Sequence, residues 1–71
     1  MKIQESTFET GFTVVVDYTE MIDTERVLRK YLKDGIVTSY NLTYLDGKKI
    51  KYDVECISEE VSGKVLHALK R

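Results

Sequence analysis

Proline is absent from this chain of 71 residues, cysteine and histidine occur once each, and no apolar run approaches a bilayer-spanning length. Each shortage excludes something. With Cys56 alone there is no disulfide within the chain, and with His67 alone no zinc site of paired Cys and His ligands can be assembled. A membrane span needs roughly 18 consecutive apolar residues, and Met1-Lys2 leads into a polar stretch rather than the apolar core of a signal peptide. The chain reads as cytoplasmic with no membrane partner, and a lone unpaired cysteine agrees with a reducing compartment. Neither a glycine-rich phosphate loop nor an isolated pair of carboxylates is present. The expectation is therefore a non-enzymatic protein, with no catalytic residue, no cofactor and no metal.

What is there is enough for one domain, residues 1–71, and little more. A chain this short removes only about 60% of its unfolded surface from water, so its core is marginal without a staple. Disulfide and metal being excluded, oligomerisation is the remaining common device. The formal net charge of -1 conceals a segregation. Residues 1–25 carry Lys2 against Glu5, Glu9, Asp17, Glu20, Asp23 and Glu25, a balance of -5. Residues 26–51 carry seven cations against Asp34 and Asp46, a balance of +5. Such asymmetry marks a docking surface, unless the two blocks lie side by side in the fold and cancel.

The apolar period divides the chain into elements. Residues 1–6 are polar and expected to fray. From Phe8, residues Phe8, Phe12, Val14, Val16 and Tyr18 alternate with Glu9, Gly11, Thr13, Val15 and Asp17, which predicts a half-buried first strand. In "TEMIDTERVLRKYLKDG" the period becomes helical. Met21, Thr24, Val27, Leu28, Tyr31 and Leu32 share one arc, and Arg26, Arg29, Lys30 and Lys33 form the opposite pole. Thr19 or Asp23 is placed to cap this helix, and Gly35 to end it in a left-handed conformation. A second helix follows Ser58, with a stripe of Val61, Val65, Ala68 and Leu69.

Between the helices, "IVTSYNLTYLDGKKIKYDVECI" predicts a hairpin whose register depends on its loop. A two-residue Asp46-Gly47 turn sets Tyr44, Leu42 and Tyr40 against Lys49, Lys51 and Asp53. A three-residue Leu45-Asp46-Gly47 loop instead pairs Leu42 with Ile50, Tyr40 with Tyr52, Thr38 with Val54 and Ile36 with Cys56, leaving one face apolar and the other polar. A slip of one residue inverts every side chain, so the pattern selects the second.

The resulting order is β-α-β-β-α: an α+β fold with a three-stranded, mainly antiparallel sheet and both helices on one face. This is the ferredoxin-like plan without its last strand. The simplest sheet puts the third strand between the first and second, and the alternative order places the first beside the second. The first strand is then an edge without proline or an inward-pointing charge, which makes Phe12, Thr13 and Val14 the candidate homodimer edge. Packing of the two protomers through Tyr31, Leu32 and Leu66 is the rival geometry.

Lysines 48, 49 and 51 with Tyr40, Tyr44 and Tyr52 suggest base stacking at first. The selected register puts those tyrosines on the helix-covered face and leaves Ser39, Asn41, Thr43, Lys49 and Lys51 on an open face with no aromatic platform. Nucleic acid is thus the less favoured partner, served by the basic face of the first helix and the 48–51 lysines. Arg26, Arg29, Lys30 and Lys33 are the candidate partner surface, for a host protein before a phosphate, although a solvated face is the commoner meaning of such a pole. Glu25 is spaced to pair with Arg29, and Lys30 with Asp34. Cys56, on the apolar face, behaves as a small hydrophobe, and His67 falls away from the apolar stripe.

Through "GFTVVVDYTE" and "TYLDGKKIKYDVECI" within a similar whole-chain layout, the sequence resembles the YopT-like family of small prophage proteins of Gram-positive bacteria, unrelated to the protease effector of that name. The resemblance implies a small homodimer of unknown function and carries over no functional residue.

Overall fold

The computed structural model describes residues 4–8 and 10–70. In chain order the elements are β1 (Gln4–Phe8), β2 (Gly11–Asp17), a single 3-10 turn (Tyr18–Glu20), α1 (Met21–Lys33), β3 (Val37–Leu45), β4 (Lys49–Cys56) and α2 (Glu59–Lys70). The fold is α+β, with one four-stranded sheet ordered β1-β2-β4-β3 in which every neighbouring pair is antiparallel. The strand after α1 and the one before α2 thus pair as the hairpin predicts, and β4 lies between β2 and β3.

The departure from a three-stranded sheet is at the N-terminus. The alternation from Phe8 to Tyr18 conceals a chain reversal. Phe8 and Gly11 are ladder partners, and the polar segment from Gln4 returns along β2, pairing Ser6 with Thr13 and Thr7 with Phe12. Phe8 consequently shares the open face with Gly11 and Thr13 instead of lying with Phe12. Gly11 permits the close pass: a Cβ there would run into the Val54 carbonyl oxygen and stand 2.6 Å from the Phe8 ring.

The expected dimer edge is overturned by the same strand. Phe12, Thr13 and Val14 pair with Thr7, Ser6 and Glu5 on one side and with Val54, Asp53 and Tyr52 on the other. Both hydrogen-bonding sides of β2 are filled, and the free edges belong to β1 and β3. The rival helix interface also loses a member, because Leu66 is buried in the core.

One sheet face carries Phe12, Val14 and Val16 from β2 and Ile50, Tyr52, Val54 and Cys56 from β4, all buried and closed over by Leu28 of α1 and Val65, Leu66 and Leu69 of α2. Each such side chain contributes about 1.5–3 kcal/mol by leaving water. α1 packs on β3 and α2 on β2 and β4. The first helix starts without the predicted Thr19 or Asp23 cap, since the 3-10 turn runs straight into it and no side chain caps its start. It ends as predicted, Gly35 at φ 80 while the Ile36 amide donates to the Tyr31 carbonyl at 3.0 Å. In α2 the Val61 amide donates to Ser58 Oγ at 3.4 Å, the predicted cap.

The hairpin keeps its predicted faces and shifts its pairs by two residues. Tyr44 lies opposite Ile50, Leu42 opposite Tyr52 and Tyr40 opposite Val54, so Asp46-Gly47-Lys48 form the loop. Sliding by two preserves which side chains face the core, so the hydrophobic pattern cannot distinguish these registers. The β2 ladder helps fix the outcome: Asp17 pairs with Lys49, and the Tyr18 amide donates to the Lys48 carbonyl at 2.8 Å. A bulge between Val37 and Ser39 turns Val37 into the core where Ile36 was expected opposite Cys56.

Candidate interaction surface

The flank where α1 overlies the outer strand β3 carries a connected set of polar contacts. The Tyr52 side chain is fully buried in the sheet, and its hydroxyl donates to Glu25 Oε2 at 3.3 Å. The other carboxylate oxygen of Glu25 accepts from Arg29 Nη2 at 3.2 Å, the pair that the helix spacing predicts. Arg29 is held above its ordinary range first by a side-chain hydrogen bond with Tyr40, then by the charges of Tyr40 and Glu25. Burial raises the Tyr52 phenol well above its ordinary value, and the Glu25 charge adds to this. The chain Tyr52, Glu25, Arg29 thus ties helix to sheet along the outer flank of α1. Farther along the strand the Tyr44 hydroxyl lies 4.0 Å from the Met21 sulfur.

Beyond this flank, β3 presents a free edge. Its nine residues, Val37 to Leu45, include no charged side chain and no proline. Half-buried Tyr40 and Leu42 and exposed Tyr44 stand in a row on the helix side of it. The sequence pattern also makes this strand an edge, but with the strand now numbered β2 expected to be unpaired on its outer side, the dimer edge was placed there instead of on β3. Its signal was visible in "VTSYNLTYL", an uncharged run in a chain where a third of residues are charged.

The predicted partner surface is assembled as expected in position. Arg26, Arg29, Lys30 and Lys33 are all exposed along one face of α1. Local pairing tempers their charge: Arg26 lies 3.7 Å from Asp23, Arg29 reaches Glu25, and the Lys30 ammonium sits 5.8 Å from the centroid of the Tyr31 ring. Exposed ion pairs of this kind are worth little.

Of the hairpin groups, Tyr52 is buried and Tyr40 half-buried as expected, but Tyr44 is 66% exposed. Ser39, Asn41, Thr43, Lys49 and Lys51 lie on the open face as the pattern requires, joined by Thr13 Oγ1 donating to Asp53 Oδ1 at 2.7 Å and by Lys49 Nζ 3.4 Å from Asp17 Oδ2. Phe8, at its corner, is an aromatic the expectation had excluded from that face. Cys56 is buried and burial pushes its thiol up, the environment of a packing cysteine. His67 is exposed. Among the described residues no three His, Cys, Asp or Glu side chains are grouped to hold a metal ion, and no helix is long and apolar enough to cross a membrane.

No protein-family model, curated protein or solved structure matches the chain.

Proposed function

We propose that this chain is a non-enzymatic protein that works by protein–protein contact as a homodimer, with a host protein as the further partner. Its resemblance to the YopT-like family would place it in a prophage and in the cytoplasm of the host. The observation that carries the reading is the free edge of β3. It is longer than β1 (nine residues against five) and lacks charge, whereas β1 contains Glu5. Pairing β3 antiparallel with its copy, with the twofold axis at the strand midpoint Asn41, sets Tyr40 opposite Leu42 of the partner subunit on the helix side and Ser39 opposite Thr43 of the partner subunit on the open side. The product is a continuous eight-stranded sheet, and the added burial offsets the small core. The bulge at Thr38 ends the pairing, leaving Tyr44 and Leu45 outside it. The basic pole of α1, Arg26, Arg29, Lys30 and Lys33, stays outward for the host partner.

The test uses Asn41, which is exposed and opposes itself across the proposed axis. Within one protomer its ladder partner is Asp53, so Asn41→Lys should leave the fold intact. Sedimentation at micromolar concentration should find the native chain dimeric, with N41K and N41E each shifted to monomer by like charges. Mixing the two variants should restore a mixed dimer. A monomeric native chain sinks the dimer, and a dimer indifferent to both substitutions moves it off β3.

A further inference from the structure

A second surface lies at the pole where the β3–β4 hairpin meets the 3-10 turn and the start of α1. Large apolar side chains are exposed together there: Tyr18 at 54%, Tyr44 at 66% and Leu45 at 40%. They line one cleft with Lys48 and Lys49. Among the described residues no carboxylate is in the lining, and Asp17 adjoins it on Lys49. Lys49 is shared with Asp17, at 3.4 Å and with both side chains about half exposed, while Lys48 carries a second cation to the lip.

The backbone adds an independent observation. Lys48 has φ 59, the only positive φ of a non-glycine residue among the described residues. Glycine or asparagine would hold that conformation with less strain. The Tyr18 amide clamps it, donating to the Lys48 carbonyl at 2.8 Å. Strained backbone beside a cleft is a reason to look for function there.

We propose that this cleft binds a short acidic segment of a protein partner. One apolar or aromatic side chain of the segment packs at the end of the sheet against Tyr18, Tyr44 and Leu45, and flanking carboxylates meet the ammonium groups of Lys48 and Lys49. Charge complementarity selects the occupant: a cationic segment would meet two lysines and no carboxylate in the lining. A nucleic acid strand is disfavoured because such strands track a continuous basic groove along several nucleotides, whereas this cleft offers only Lys48 and Lys49 at one point. The site is separate from the strand pairing proposed above and stands whether or not the chain dimerises.

The probe is a capped peptide with leucine and phenylalanine flanked by aspartates, followed by amide chemical shifts of the labelled protein. The amides of Tyr18, Tyr44, Leu45, Lys48 and Lys49 should move together and approach saturation by about 1 mM. A version with lysines in place of aspartates should leave them still. Lys48→Gly should raise the melting temperature by relieving the backbone, yet weaken the peptide by about fivefold, the loss of one charge-assisted contact. Four results would overturn the proposal: no movement with the acidic peptide, equal binding of the lysine version, unchanged affinity in K48G, or movement of the same amides by an oligothymidylate and not by the peptide.

Discussion

At the scale of single residues, Gly47 and the Tyr52–Glu25 pair are the clearest tests. Gly47 has φ 76 with open space where a Cβ would point, so Gly47→Ala meets conformational strain and no clash. It should lower stability by about 1 kcal/mol in urea titration. Tyr52 sets a pH dependence. Its phenol has an ordinary value of 10.0 and is raised in the fold, chiefly by burial. Below that ordinary value both states keep the proton, and the stabilisation is complete. As pH rises past it the unfolded chain releases the proton more readily, so stability falls. The buried Cys56 thiol, raised from its ordinary 9.0, adds a loss of the same sign. The urea midpoint should therefore drop between about pH 9 and 11, and Tyr52→Phe should shallow that drop. At neutral pH the same substitution should cost about 1 kcal/mol by removing the hydrogen bond to Glu25 Oε2, Arg29 remaining on the other oxygen.

At the scale of elements, the strand that matters most is the one a hydropathy pattern hides. β1 is polar because its outer side is an edge, which natural sheets keep unattractive to other chains. Its attachment depends on the contact of Phe8 with Gly11, a glycine covered by an aromatic ring across the ladder. Gly11→Ala should therefore cost about 2 kcal/mol through overpacking against Val54 and Phe8. Amide exchange should show the loss concentrated in β1 and the adjoining side of β2. Equal loss of protection across α2 would mean instead that β1 folds as part of the core. α1 is held differently: without a side-chain cap, its order comes from tertiary anchors, Leu28 in the core and Glu25 on Tyr52.

At the scale of the whole molecule, charge and assembly are the open quantities. The -5 and +5 blocks do fold alongside one another, with Lys49 on Asp17, Arg29 on Glu25 and Arg26 on Asp23. This local cancellation argues against a field that attracts polyanions. Generic duplex or single-stranded nucleic acid should bind no tighter than about 10⁻⁶ M at physiological salt. Tight, salt-sensitive binding lost on changing Arg26, Arg29 and Lys30 to Glu would reverse that ranking. If the chain is a dimer, its melting temperature should climb with protein concentration and that of N41K should not.

The sequence by itself determined the helices, the hairpin and the core-facing side of β2 from Phe12 onward, of β4 and of β3 beyond its bulge. It also favoured the order that places β4 between β2 and β3. These follow from local periods of 3.6 and 2, and from the rule that apolar stripes must cover one another. Three features were decided only by tertiary structure. The hairpin register shifted by two because alternation fixes faces and not pairs, leaving the choice to the β2 ladder. The left-handed Lys48 depends on that register. The N-terminal strand escaped notice because an edge strand earns its order from the backbone hydrogen bonds of its neighbour rather than from burying its own side chains, and so leaves no apolar signature. That one strand converts β2 from an edge into an interior strand, and it moves the candidate interface to β3.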